Sequence, residues 1–200
     1  MKVAILDLSV GNLFSIKRSF ERIGEEVFLA NNSKDLDLAD VLVIPGVGGF
    51  KSGITTLKNN FKDLLHILLH KPILGICLGM QLLLEKSYEG GVNEGLGIIK
   101  GEVIRLPSFV KIPHIGWNGI EIVKNSLLLE DLKNGDYFYF VHSYYCNVKE
   151  DIIIAYTDYG IKFPSIIEKK NIVGTQFHPE KSGKNGLIFL KNFIKWCKTC

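Results

Sequence analysis

The nine residues Ile73-Leu74-Gly75-Ile76-Cys77-Leu78-Gly79-Met80-Gln81 constrain the fold more than any other part of the chain. The apolar run from Ile73 to Ile76 reads as a buried strand. A cysteine follows between Gly75 and Gly79, and the pattern then turns helical, with a helix predicted over residues 78–86. Strand, Gly-x-Cys-x-Gly, helix is the layout of a nucleophile elbow with sulfur as the nucleophile. A sharp strand-to-helix turn strains the nucleophile's backbone and crowds its neighbours, which favours residues without a Cβ on either side. The thiol then stands above the sheet edge at a helix N-terminus, whose dipole favours the thiolate. The competing reading is a buried structural cysteine, a common fate for a lone cysteine.

The chain around this stretch alternates strand and helix. Lys2 to Leu8 reads as a buried strand, Gly11-Asn12 as a turn, and Leu13 to Ile23 as an amphipathic helix stopped by Gly24. Strands are predicted over residues 26–29 and 40–44, and a helix over Ser52 to Leu69. Strands that are apolar throughout and alternate with helices predict an α/β fold with a mainly parallel sheet. Ser87 to Lys100, rich in glycine and acidic residues, reads as loop. Beyond residue 100 the runs 103–106, 119–123, 137–141, 152–156, 165–168 and 172–176 read as short strands. Some of these extend the main sheet and others form a small antiparallel layer. Residues 184–196 close the chain as an amphipathic helix, and the absence of repeats or linkers predicts a single domain over residues 1–200.

Composition narrows the functional classes. A net charge of +3 with scattered lysines implies neither a nucleic-acid nor a membrane-surface partner. No apolar run has membrane-spanning length, and the first residues lack the features of a signal peptide. Cys77, Cys146, Cys197 and Cys200 are too irregularly spaced for a disulfide framework, so a reducing cytosol fits. Cys197-Lys198-Thr199-Cys200 is formally C-x-x-C but has no following helix. His66 and His70 stand four apart, yet lack the acidic residue of H-E-x-x-H and a third ligand, so no metal is expected.

Two further stretches carry chemistry. Pro45-Gly46-Val47-Gly48-Gly49-Phe50 follows the third strand, and its glycines free the backbone to aim N–H groups at a ligand; a plain flexible loop is the alternative. Gln176-Phe177-His178-Pro179-Glu180 follows the last strand. On an extended chain His178 and Glu180 point the same way, as a base and its orienting carboxylate must. A chance pairing of a loop histidine with a nearby acid is the alternative.

Together, Gly75 to Gln81 and Gln176 to Glu180 resemble the motifs of the class I glutamine amidotransferases. Pro45 to Phe50, Pro113-His114-Ile115-Gly116-Trp117-Asn118 and Tyr139-Phe140-Val141-His142-Ser143-Tyr144-Tyr145 narrow the resemblance to glutaminase subunits of histidine biosynthesis. The resemblance runs from Asp7 to the last helix and implies a flavodoxin-like sheet flanked by helices. It implies Cys77 as nucleophile, His178 as base and Glu180 as its orienter. It assigns oxyanion donors to Val47, Gly48 and Leu78, and glutamine binding to Gly46, Gln81, Ser143 and Tyr144. No cofactor is implied. The partner implied is a cyclase subunit with a (β/α)8-barrel fold, which receives ammonia past Asn12, Trp117, Tyr139 and Lys181. Core packing is the alternative for Trp117 and Tyr139, and turn bracing for His114 and Asn118. The chain departs from the family pattern in Asp7-Leu8-Ser9-Val10-Gly11-Asn12, where the family commonly has Asp-Tyr-Gly-x-Gly-Asn, and at Lys51, both expected toward the partner face. These departures keep open a paralogous partner that uses ammonia to modify a surface sugar, and a partner-binding relic without turnover is a third reading.

Overall fold

Alternation along the strands builds the centre of the molecule. The computed structural model describes residues 1–8, 12–46, 48–62, 64–67 and 70–199. In β1 (Lys2–Leu6), Val3 and Ile5 enter one hydrophobic core while Ala4 and Leu6 enter another. After α1 (Leu13–Arg22), β2 (Glu26–Ala30) and α2 (Ser33–Asp37), β3 (Val41–Ile44) divides its residues in the same way. A strand covered on both faces reads as an unbroken apolar run, which is why these strands were legible.

Next come α3 (Phe50–Asn60), α4 (Leu64–Ile67), β4 (Ile73–Ile76) and α5 (Leu78–Leu82). The later chain is mostly strand: β5 (Leu84–Ser87), β6 (Asn93–Glu94), β7 (Ile99–Arg105), β8 (His114–Gly119) and β9 (Glu121–Ile122). Then follow β10 (Tyr137–His142), β11 (Tyr144–Val148), β12 (Ile153–Asp158), β13 (Lys162–Lys169), β14 (Ile172–Thr175) and α6 (Gly183–Cys197).

The main sheet has eight strands in the order β2-β1-β3-β4-β14-β13-β12-β9. It is parallel from β2 through β14 and antiparallel from there to β9. Residues of α1, α6 and β10 fill one core, including Phe20, Phe138, Phe140, Phe189 and Phe193. Residues of α3, α5, β5 and β7 fill the other, including Phe50, Leu57, Met80 and Val103. A four-stranded sheet (β11-β7-β5-β6) and the antiparallel pair β8–β10 supply the additional layer. This small sheet is mixed rather than antiparallel, because β5 and β7 run parallel.

Several local expectations are corrected. The helix expected over residues 52–69 begins at Phe50 and ends at Asn60, and a separate short helix follows from Leu64. Asn59 and Asn60 are weak helix formers, and leaving the helix lets both Phe61 and Leu64 bury themselves in the core. The helix expected to reach Lys86 ends at Leu82. Its last carbonyls are claimed from the side, where Leu96 N–H donates to Leu82 and Ile98 and Ile99 N–H donate to Leu83. The stretch 87–100, read as loop, therefore holds β6 and the start of β7. β8 and β11 were not anticipated, since His114-Ile115-Gly116-Trp117-Asn118-Gly119 has no period-two alternation. Of the departures from the family pattern, Leu8 is fully buried and bears on core packing, Ser9 lies outside the described residues, and Lys51 is exposed on α3.

The tightest part of the fold is the junction between β4 and α5. Cys77 has φ 49° and ψ −102°, a left-handed conformation rare for a residue with a side chain. The turn is this sharp because three backbones meet at it. A Cβ on Gly79 would lie 2.0 Å from the Ile44 carbonyl oxygen, one on Gly46 would lie 1.9 Å from that of Ile76, and one on Gly75 would lie 2.8 Å from the Gly79 backbone. All these obstacles are main chain and cannot swing away. Gly79→Ala is accordingly expected to cost about 3 kcal/mol or more of unfolding free energy, read as a lowered midpoint in urea titration. An unchanged midpoint would mean that the crossing of residues 44–46 beneath the elbow is not tight.

Candidate active site

Beyond the C-terminal ends of β3 and β4 lies a cleft of about 380 Å³. Ligands in parallel α/β sheets sit at this end. Its lining includes Gly46, Gly48, Cys77, Leu78, Gln81, Ser143, Tyr144 and Lys181, residues that lie far apart in the chain. Glu89, Pro113, Val141 and His142 complete it.

The elbow lifts Cys77 into this cleft, and its backbone N–H is held by the Thr175 carbonyl of the neighbouring strand at 2.6 Å. His178 arrives from the end of β14 and is buried, with 1% of its side chain exposed. Its main chain is clamped: His178 N–H donates to the Tyr139 carbonyl at 2.9 Å, and Ser182 Oγ donates to the His178 carbonyl at 2.6 Å. Glu180 Oε1 accepts from His178 Nδ1 at 2.8 Å. The pairing does not arise from an extended chain, as expected above. His178 caps a 3-10 turn over Pro179–Lys181, and the turn folds Glu180 back under the imidazole. Nδ1 is thereby the donor to the carboxylate, and Nε2 makes no well-formed hydrogen bond with a described residue. Burial alone would lower the His178 pKa. The charge and hydrogen bonding of the Cys77 sulfur, reinforced by Glu180, outweigh it and raise the pKa to about 10.

A second polar array lies beside the sulfur. Gln81 Nε2 donates to the Tyr144 carbonyl at 2.9 Å and to Gln176 Oε1 at 3.3 Å, while Gln176 Nε2 donates to Cys77 Sγ at 3.4 Å. The Tyr144 carbonyl also lies 2.9 Å from His142 Nδ1. A carbonyl only accepts, so Nδ1 carries the His142 proton and Nε2 accepts from His114 Nδ1, 3.1 Å away. Burial lowers the His114 pKa to about 4. Burial, together with the charges of His114 and His178, lowers that of His142 to about 3. Both are therefore neutral near pH 7. His114 is a buried member of a polar chain rather than a simple turn brace, and Asn118 joins it through a 3.5 Å approach to His114 Nε2.

The remaining residues singled out from sequence lie around this centre. Gly48 has φ 118° and faces the cleft; Val47 lies outside the described residues. Leu78, as first residue of α5, carries a backbone N–H with no intrahelical acceptor. Trp117 is 54% exposed, which overturns core packing for it. Its ring meets Tyr139 edge-on at 6.1 Å, and Lys181 Nζ lies 5.8 Å from the centre of the Tyr139 ring. Asn12 caps α1, accepting from Ser15 N–H. His66 on α4 and His70 in the turn beyond it are exposed, and Cys200 lies outside the described residues. Among the described residues no three His, Cys, Asp or Glu side chains group to hold a metal, and no helix is long and apolar enough to cross a membrane.

Three site residues were missed from sequence. Gln176 shares the parity of His178 along the strand end, and that period-two signal was available. His142 had a weaker one, a histidine ending an apolar strand. Glu89, whose carboxylate accepts from Phe50 N–H at 2.9 Å at the cleft's edge, carried no signal in a stretch read as loop.

A protein-family model described as glutamine amidotransferase class-I matches residues 4–196. The HisH subunit of imidazole glycerol phosphate synthase from Aquifex aeolicus is 51% identical over 96% of this chain and 96% of its own. The subunit of that name from Caldanaerobacter subterraneus is 48% identical over 98% of each. Among solved structures, a glutamine amidotransferase from Thermotoga maritima superposes with a TM-score of 0.66 at 18% identity, covering 100% of this chain and 83% of that one, a likeness of fold. A family match over almost the whole length, joined to relatives half identical from end to end, means that the chain belongs to the class I glutamine amidotransferases, among the HisH subunits of imidazole glycerol phosphate synthase.

Proposed function

We infer that this chain is the glutaminase subunit of imidazole glycerol phosphate synthase, with Cys77, His178 and Glu180 as its catalytic triad. The observation that carries the triad is a thiol on a strained elbow, with a buried His178–Glu180 pair behind it and an open cleft in front. Cys77 Sγ attacks the side-chain carbonyl carbon of glutamine. His178 gives its proton to the departing nitrogen, so ammonia leaves and a glutamyl thioester remains. Water, deprotonated by His178, then cleaves the thioester to glutamate. The N–H groups of Leu78, Val47 and Gly48 are the proposed donors to the tetrahedral oxyanion, each worth about 3 kcal/mol in the transition state.

Gly46, Gln81, Ser143 and Tyr144 would hold the substrate in the cleft. The Gln81 nitrogen is already committed to Tyr144 and Gln176, so its carbonyl oxygen is the atom it offers. Glu89 brings a carboxylate to the same cleft, a counter-charge for the substrate's ammonium. The full-length likeness to HisH subunits supports a cyclase, which we take to be a (β/α)8 barrel, as the ammonia acceptor over a sugar-modifying partner. Ammonia would pass near the cluster of exposed Trp117 with half-buried Tyr139 and Lys181, on the side of the cleft where Lys181 stands. Unbridged Cys77 and Cys146 fit a cytosolic location, and we read residues 1–200 as one domain.

Cys77→Ala is expected to lower glutamine hydrolysis by about 10⁴-fold or more, measured as glutamate release by the complex with its cyclase. Turnover at the unsubstituted level would rule out the thiol as nucleophile. Glu180→Gln should act through pH. Glu180 helps hold the His178 proton, and the thiolate–imidazolium pair loses that proton as pH rises through about 10. Removing the carboxylate lowers the His178 value, so the alkaline limb of kcat/KM moves to lower pH; an unmoved limb counts against Glu180 as orienter. Trp117→Ala should weaken cyclase binding by about 30-fold, the effect of losing a central aromatic anchor, seen in a titration of one subunit with the other. Unaltered affinity would take Trp117 out of the interface.

A further inference from the structure

We propose that Gln176 is a positioning residue for the nucleophile: its side-chain N–H holds the Cys77 sulfur in place and favours it as thiolate. The proposal rests on Cys77 being the nucleophile.

What the sulfur meets depends on which end of the Gln176 amide faces it. An amide can present either a carbonyl oxygen, which repels a thiolate, or an N–H, which stabilises one. The choice is made two residues away, by a main-chain carbonyl. The Tyr144 oxygen is an obligate acceptor, so the Gln81 atom 2.9 Å from it is the nitrogen. That nitrogen has a second hydrogen, which reaches Gln176 at 3.3 Å, and the Gln176 atom receiving it is therefore the oxygen. The Gln176 nitrogen is left facing Cys77 Sγ at 3.4 Å. The network has no freedom to flip, since reversing Gln176 would set two nitrogen donors against each other and turn an oxygen toward the sulfur. His142 donates to the same Tyr144 carbonyl and pins it.

The environment makes this N–H matter. Gln176 is fully buried, so its N–H is not replaceable by water, and hydrogen bonds to charged groups in such surroundings are the stronger kind. The Val141 carbonyl, 3.9 Å from the sulfur, is an acceptor and cannot stabilise negative charge. Gln176 is thus a neutral side-chain donor fixed 3.4 Å from the sulfur, beside His178, which supplies the opposite charge and its own hydrogen bonding. The titratable groups that face the sulfur are His178 with Glu180 behind it, Cys146 across the core, and His142, Glu89 and Lys181 around the cleft. Of these, His142 is neutral, and burial together with the Cys77 charge pushes the Cys146 thiol well up, which leaves it inert to alkylation.

The test is the pH profile of Cys77 alkylation by iodoacetamide in the full-length chain, followed by mass spectrometry of the Cys77 peptide. Gln176→Leu removes the donor. Gln176→Glu keeps the shape and replaces the donor with an acceptor, and it decides the matter should the leucine variant fail to fold. Both variants are expected to move the alkylation midpoint up by about one pH unit or more, the loss of one hydrogen bond to a charged group. Glutamine turnover with the cyclase present should fall about tenfold or more. A purely structural Gln176 would lower the urea midpoint without moving the alkylation midpoint, and an unmoved midpoint in folded Gln176→Glu overturns the proposal. Failure of Cys77 to react at any pH in the unsubstituted chain would instead sink the nucleophile assignment, a separate outcome.

Discussion

Everything in the cleft depends on one close approach of backbones. The segment leaving β3 passes so near the β4–α5 junction that Gly46, Gly75 and Gly79 all meet main-chain atoms where a Cβ would stand. That crossing forces Cys77 into its left-handed conformation. The strain has two consequences: the thiol is thrust out of the sheet plane, and Gly46 and Gly48 are brought to the same cleft. Hydrogen bonds from the adjacent strand, Cys77 N–H to Thr175 among them, hold the strained residue in place. Local strain persists only where surroundings over-determine it, and here three strands and a helix do so.

The buried histidines show how one side chain takes opposite roles in a single core. His114, His142 and His178 are all withdrawn from water. Desolvation alone makes each neutral, and for His114 and His142 it prevails, with values near 4 and 3. His178 differs because Cys77 and Glu180 flank it, and their charge reverses the sign. The neutral pair has locked tautomers and serves as hydrogen-bonded scaffolding behind the Tyr144 carbonyl. The charged one serves the sulfur. Burial is common to the three; the neighbouring charge decides the chemistry.

Much of the fold was readable because its strands are apolar on both faces, and of the site because its motifs are contiguous. The elbow, the glycine loop and the His178–Pro179–Glu180 triplet were each recognised from a few adjacent residues. The reading failed where a long-range partner overrode local pattern. α5 stops at Leu82 because residues 96–99 take its carbonyls, and no spacing within residues 78–86 announces that. β8 forms because β10 pairs with it, despite its glycines and lack of alternation. His178 and Glu180 were rightly paired for the wrong local reason, since a tight turn and not strand alternation joins them.

By itself, then, the chain determined the strand–helix alternation, the position of the strained cysteine and the pairing of His178 with Glu180, since these are written in residues close in sequence. Tertiary structure alone decided that Glu89 reaches the cleft, that Trp117 is exposed, and that an N–H of Gln176 and not its oxygen faces the sulfur. The physical reason is the range of the interactions. Turn strain and amphipathic period act between neighbours, whereas the orientation of a buried amide is set across the fold: Gln176 lies 95 positions from Gln81, and Gln81 lies 63 from Tyr144.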